Sequence, residues 1–334
     1  MLDAVSKMSD EEFVDFCYQS ILLRKADEEG KKHYAEELSS AAISRQDLML
    51  VLLTCEERRS LTNHREFVPS GHFYSTHPSS EDIAKYKTYE DMLAVEMNDE
   101  FQRRMLRELQ PFHDQCPFPE TRDSRFRYFF LNNSYIHSDA IFLYSMIRHF
   151  KPRKIIEVGS GLSSCVMMDT NEIHFNGEIN IKLIDPFPHA VKSLLKPGDI
   201  LEDMLHQEKL QDFDIGAIQA LEAHDILFID STHVSKLNSD VNHIFFKILP
   251  SLKPGVIIHL HDIFWPFEYI DAWLQEGRYW NEAYILRAFL QYNEHFEIVL
   301  FADYMQKKHR AWFERNMPRC LKSIGGSIWL RKTK

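Results

Sequence analysis

No stretch of this sequence approaches the about 18 consecutive apolar residues that a bilayer-crossing helix needs, so no membrane span is expected. The first dozen residues are acidic and lack the basic-then-apolar order of an export signal, which gives a cytoplasmic location as the expectation. Cysteine is sparse: Cys17, Cys55, Cys116, Cys165 and Cys320 are far apart, odd in number and never in a Cys-x-x-Cys spacing. That argues against a disulfide framework and a zinc knuckle, and leaves reduced thiols. Basic charge is short as well, with 39 Lys and Arg against 50 Asp and Glu and a formal net charge of -11. Nucleic-acid binders gather Lys and Arg on one face, so nucleic acid is not an expected partner. Short basic pairs such as Arg103-Arg104 and Lys307-Lys308 read as solvated faces. Internal repeats and low-complexity tracts are absent.

What is present is 334 residues, 44% of them hydrophobic, enough for one full α/β core and a smaller second unit. Three segments are expected: a helical domain over 1–60, a connector and lid over 61–120, and the main domain over 121–334. In the first, Phe13, Phe16, Cys17 and Ile21, then Tyr34 and Leu38, then Leu48, Leu52 and Leu53 recur at helical spacing. Ser9 and Ser44 stand as N-caps. Phe13-Val14, Tyr18, Leu22, Arg24, Asp27, Gly30, Tyr34, Leu38, Ser44-Arg45 and Glu56 give the segment a resemblance to the DUF4214 helical domain. Tyr34 replaces the Trp frequent in that family, and Cys55 replaces a Ser. Such domains often accompany surface-polysaccharide and glycan assembly enzymes, so the resemblance implies a carbohydrate context, with a protein partner docking on this unit.

From Tyr135 onward helix alternates with short buried strand, the texture of a doubly wound (Rossmann-like) parallel sheet. A helix is expected over 139–150 and strands over 154–158, 181–184, 225–229 and 256–260. The runs 296–301 and 327–331 alternate like strands and are expected to close the sheet as an antiparallel terminal pair, which a plain dinucleotide-binding sheet lacks.

The segment Glu157-Val158-Gly159-Ser160-Gly161-Leu162-Ser163-Ser164 runs from a buried strand through two glycines into a helix. Glycine permits the tight turn and close ligand approach, and the helix start offers free N–H groups to a carboxylate. Glu157, Gly159, Ser160, Gly161 and Ser163 are therefore candidate cofactor contacts. Asp185, at the next strand end, is placed to accept ribose hydroxyls, a role that NAD and S-adenosylmethionine (SAM) share. The third glycine of a nicotinamide fingerprint is replaced by Ser164, and the terminal pair also favours SAM.

At these residues the chain resembles class I SAM-dependent methyltransferases, and more narrowly a bacterial branch of the Methyltransf_24 type. The matching stretches are Gly71-His72-Phe73-Tyr74-Ser75, Ile156 to Gly161, Ile226-Leu227-Phe228-Ile229-Asp230-Ser231-Thr232-His233 and His259-Leu260-His261-Asp262-Ile263-Phe264. Trp280-Asn281-Glu282-Ala283-Tyr284 and Leu286-Arg287-Ala288-Phe289-Leu290 belong to the same pattern. The resemblance implies a seven-stranded methyltransferase sheet, with the loop carrying Tyr74 folding over SAM. Thr76 stands where proline commonly follows.

Methyl transfer to a hydroxyl needs an in-line acceptor and a means of removing its proton. Asp230, His233, His261 and Asp262 fall at the carboxyl ends of adjacent strands, where ligands bind in this architecture. Two versions follow. In one, His233 or His261 acts as a neutral imidazole base beside Asp230. In the other, Asp230 and Asp262 hold magnesium or another divalent cation. Similar sugar-modifying O-methyltransferases use Asp at these strand ends for magnesium, although they carry a second acid where this chain has His261. The expected function is O-methylation of a carbohydrate or glycan precursor. The alternatives are a NAD-dependent oxidoreductase and a non-catalytic scaffold in glycan assembly.

Overall fold

The computed structural model describes residues 8–55, 57 and 67–334, so Glu56 of the expected helical pattern and positions 1–7 and 58–66 lie outside the described residues. The chain divides into two compact units, Met1–Tyr86 and Lys87–Lys334. The division falls inside the segment expected as connector and lid.

The first unit holds helices α1 (Asp10–Cys17), α2 (Glu28–Ser39), α3 (Arg45–Thr54) and α4 (Ser80–Lys85). The predicted caps Ser9 and Ser44 each form a reciprocal capping box, with Glu12 and Asp47, satisfying end N–H groups that would otherwise be orphaned. Phe13, Val14, Cys17, Leu48 and Leu52 form its small core. In the turn 71–77, Phe73 and Tyr74 are exposed and lie 4.4 Å apart by ring centroid.

The second unit begins with α5 (Asp99–Gln115), whose Met105, Leu106 and Leu109 are built into the main core, and α6 (His137–Phe150). The sheet then forms from β1 (Lys154–Val158), β2 (Asn180–Ile184), β3 (Leu205–His206), β4 (Ile226–Ile229), β5 (Ile257–His261), β6 (Phe296–Phe301) and β7 (Ser327–Lys332). Its order is β3-β2-β1-β4-β5-β7-β6. The first five strands pair in parallel, while β7 runs antiparallel to both β5 and β6. This is the seven-stranded, doubly wound α/β sheet with the expected antiparallel closing pair. β3 escaped sequence reading because two residues carry no periodicity. Helix α7 (Leu162–Phe175) leaves the β1 turn, and α8 (Glu282–Leu290) and α9 (Ala302–Lys308) flank the closing strands. Two apolar clusters fill the two sides of the sheet, one with α6 and α7, the other with the 241–252 and 283–290 segments.

A buried ion cluster ties the segment before α6 to α7. The Arg127 guanidinium meets Asp169 at 2.7 Å, Asp199 at 2.5 Å and Glu172 at 2.8 Å, and Asp169 also accepts the backbone N–H groups of Arg127 and Tyr128. Removing one member of a buried pair strands the other charge, which costs about 3–5 kcal/mol. Arg127→Met is expected to lower unfolding free energy by about 3 kcal/mol in urea titration; a change under about 0.5 kcal/mol would show that the cluster is neutral for stability.

Candidate active site

The strands β1, β2, β4 and β5 end side by side, and their C-terminal residues build the site. The close approach is made by Gly159, whose φ is +87° and whose notional Cβ would sit 2.1 Å from the Asp230 carbonyl oxygen. Any side chain there would push β4 away, which is the physical reason for the first glycine. The Gly159 N–H donates to the Ile184 carbonyl and the Asp230 N–H to the Val158 carbonyl, locking three strand ends together.

Two cavities open on these ends. One, of about 360 Å³, is lined by Gly159, Asp185, Phe187, Leu210, Asp230 and Lys236, among others. The second, also of about 360 Å³, is lined by Tyr135, Ser160, the first turn of α7 with Gly161 and Ser163, Asp230, His261 and Asp262. Asp230 borders both. Asp185 is held by the Ser160 hydroxyl, which donates at 2.5 Å, and by the Phe187 N–H at 2.7 Å. Glu157 is fully buried and lines neither cavity; its two oxygens accept from Ser163 and Ser164, each at 2.5 Å. Burial pushes its carboxyl up to about 8, against the opposing effect of the two serine hydroxyls. Glu157 thus braces the glycine turn from behind.

Beyond Asp230 lies a compact cluster of acids and histidines. His233 Nε2 stands 3.4 Å from Asp230 Oδ1 and 3.5 Å from Asp262 Oδ2. His261 Nδ1 stands 3.5 Å from Asp230 and 3.4 Å from Asp262. His233 and Asp262 both adopt left-handed backbone, φ 59° and 57°. Such strain in non-glycine residues concentrates where surroundings over-determine a conformation, commonly at functional sites.

Each histidine is backed by an acid from a helix. His233 Nδ1 lies 2.8 Å from Glu282 at the start of α8, and the His233 carbonyl accepts the N–H groups of Asn281 and Glu282. His261 Nε2 lies 3.9 Å from Asp139 of α6. Burial alone would lower both imidazoles. For His233 the hydrogen bonds to Asp230 and Glu282 outweigh it and raise the group to about 10. For His261 the charges of Asp262 and Asp230 outweigh it, again raising the group. The carboxylates facing both rings thus shift them upward, away from the expected easily neutralised imidazole base.

The second unit brings together every predicted site residue except Tyr74, which belongs to the first unit. Asp139 and Tyr135 border the cluster although no sequence signal marked them, and Glu282 stood in the sequence only as part of the family pattern. Glu282 lies 49 positions from His233, and nothing local marks the pairing. His259, two residues before His261, stacks on Phe228 at 3.8 Å inside the core.

The methyltransferase domain model Methyltransf_24 matches residues 156–263, which hold both glycines, Asp185 and the β4 and β5 ends. The chain belongs to this methyltransferase family. It is a class I SAM-dependent enzyme, and the antiparallel closing pair with the family match sets aside the nicotinamide alternative. The domain of unknown function DUF4214 matches residues 3–62 of the methyltransferase. An uncharacterized protein of Archaeoglobus fulgidus is 30% identical over 169 residues, spanning 47% of this chain and 75% of that one. Among solved structures, the methyltransferase is similar to the S-adenosylhomocysteine-bound Podospora anserina methyltransferase PaMTH1, at TM-score 0.37 and 13% identity over 69% of this chain and 88% of that one. A Streptomyces avermitilis protein of the DUF574 family gives TM-score 0.33 and 14% identity over 71% and 90%. No helix among the described residues is long and apolar enough to cross a membrane.

The raised Glu157 carboxyl carries a pH signature. Its folded value of about 8 lies above the ordinary 4.5, so the folded state keeps a proton that the unfolded chain releases. Stability from this group therefore falls as pH rises from 4.5 toward 8, by up to about 1.4 kcal/mol per unit. Glu157→Gln is expected to flatten that fall in melts taken between pH 5 and 8; an unchanged slope would mean that Glu157 is ionised in the fold.

Proposed function

We infer that this methyltransferase transfers the SAM methyl group to a hydroxyl of a carbohydrate or glycan precursor, with a divalent cation held by Asp230, His233 and Asp262. The observation carrying the reading is that these three residues each offer a ligand atom, all within 4.8 Å of one another. A carboxylate–imidazole–carboxylate set suits a first-row divalent cation or magnesium. Glu282 engages His233 Nδ1, leaving Nε2 toward the two aspartates, the usual second contact of a ligating histidine. When bound there, a divalent cation supplies the charge that lowers an acceptor hydroxyl's pKa.

In this reading the adenosine occupies the first cavity with its ribose on Asp185, and the methionine end lies along Gly161 and Ser163 in the second. Asp230, bordering both, stands beside the reacting methyl group. His261 is the proton acceptor: its Nδ1 faces Asp230 and Asp262 and belongs to a residue lining the second cavity. It can serve as base only once the charges of Asp230 and Asp262 are engaged by another cation. The carbohydrate part is supported by Trp280, whose ring lies 4.5 Å from that of His233, and by Trp273, 5.2 Å from Trp280. Such faces suit the apolar side of a sugar ring.

Labelled-methyl transfer from SAM to a panel of sugars and sugar nucleotides tests this. A chelator, Asp262→Asn and His233→Gln are each expected to cut the rate by about 10²-fold or more, while Trp280→Ala raises KM with kcat little changed. Transfer that survives both chelation and Asp262→Asn would defeat the metal-assisted reading.

A further inference from the structure

The rim of the first cavity carries two cations that none of the preceding roles uses. Two loops build this rim: one over 207–214, after β3, and one over 230–240, after β4. In the sheet order β3-β2-β1-β4 they arise on opposite sides of the β2 and β1 ends, so Asp185 and Gly159 lie between them. The Gln211 side-chain amide donates to the Asn238 carbonyl at 2.8 Å and joins the two loops. Each loop presents a lysine two residues before that bridge, Lys209 on one and Lys236 on the other, and both line the cavity. Two residues of chain reach at most about 7 Å, so the lysines flank the bridge closely.

The loop that carries Lys236 is fixed. The Ser235 N–H donates to Asn281 Oδ1 at 2.6 Å, and Asn281 Nδ2 donates back to the Ser235 carbonyl at 3.2 Å. The Lys236 N–H donates to the Ser239 hydroxyl, and its carbonyl accepts from the Asn242 side chain at 2.8 Å. Asn238 takes left-handed backbone at φ 59°, a conformation in which Asn is several-fold enriched. His233 of the catalytic cluster stands three positions before Lys236 on the same loop, at most about 11 Å along the chain.

The charge of these lysines has no counterpart in the cofactor. Both are exposed, and among the described residues neither ammonium is paired with a carboxylate. The acids that share the lining are engaged elsewhere: Asp185 by the Ser160 hydroxyl, Asp230 by His233 and His261, and Asp240 by the Thr232 hydroxyl at 2.6 Å. Adenosine carries no anion, and the carboxylate of SAM belongs to its methionine end, along Gly161 and Ser163 in the second cavity.

We propose that Lys209 and Lys236 hold a phosphate of the methyl acceptor, so that the substrate is a phosphorylated sugar whose reacting hydroxyl lies at Asp230, where the two cavities meet. The proposal rests on the methyltransferase reading of the site and adds the substrate's charge to it. Lys236 and Asp230 line the same cavity, with no chain segment between phosphate and hydroxyl to be crossed. Lysine suits the role because its ammonium is a point charge on a flexible stem, with three donors that can follow a phosphate oxygen.

Calorimetric titration of the full chain with glucose 1-phosphate and with UDP-glucose, each beside glucose and in the presence of S-adenosylhomocysteine, tests the proposal. At least one of the two phosphates is expected to bind about tenfold or more tightly than glucose. The Lys209→Ala/Lys236→Ala double variant is expected to lose that preference while S-adenosylhomocysteine affinity stays within about twofold. Lys236→Gln, a single exposed change, repeats the test should the double variant melt early. The proposal is overturned if neither phosphate outbinds glucose, or if the double variant binds them unchanged. It is also overturned if the sugar phosphates compete with S-adenosylhomocysteine, or if the double variant loses S-adenosylhomocysteine, because the lysines then serve the adenosine position. Should S-adenosylhomocysteine itself fail to bind the wild-type chain, the cofactor reading fails and the proposal with it; should it bind while the sugar phosphates do not, the proposal alone fails.

Discussion

The site is organised by one carboxylate, Asp230, which borders both cavities and lies within 3.5 Å of both histidines. Its position follows from the absence of a side chain on Gly159, whose backbone approaches the Asp230 carbonyl more closely than any Cβ allows. Because the strand ends are held together there, Asp185, Asp230 and Asp262 follow three different strands yet line two cavities that share Asp230. The parallel strands supply the Asp185 and Asp230 ends; the segment leading into the antiparallel β7, which lies between β5 and β6, brings Gly326 beside Asp262.

Charge balance explains the cluster's form. Carboxylates drawn out of water need a counter-charge, and the half-buried Asp230 and Asp262 each face both histidine rings, whose affinity for a proton they raise. Each ring is in turn braced from the far side by Glu282 or Asp139, so the cluster has more acids than bases. Such an arrangement suits a site that receives positive charge, whether a cation or the sulfonium of the cofactor. The left-handed backbone of His233 and Asp262 is held by the surrounding contacts, above all the α8 N-terminus on the His233 carbonyl.

Much of this was legible in the sequence because it depends on local patterns. Strands β1 and β6 were read to the residue, since buried β-branched runs and alternation are short-range signals. The Glu157-to-Ser164 turn announced itself through its glycines, and Asp230, His261 and Asp262 through their place at strand ends. What was not legible is long-range pairing. The hydrogen bonds of Glu157 to Ser163 and Ser164 were not legible, because a strand-end acid can face either way. The upward shift of His233 and His261 could not be read either, since it depends on carboxylates that folding brings around each ring from β4, β5, α6 and α8.

The most direct test of the account is calorimetric titration of the purified chain with S-adenosylhomocysteine, beside NAD as control and with Asp185→Ala as the variant. The account expects S-adenosylhomocysteine to bind, NAD to fail, and Asp185→Ala to weaken binding by about tenfold or more, as loss of a charged hydrogen-bond acceptor does. Binding of NAD instead, or S-adenosylhomocysteine binding indifferent to Asp185, would contradict the placement of the cofactor along the strand ends that meet at Asp230.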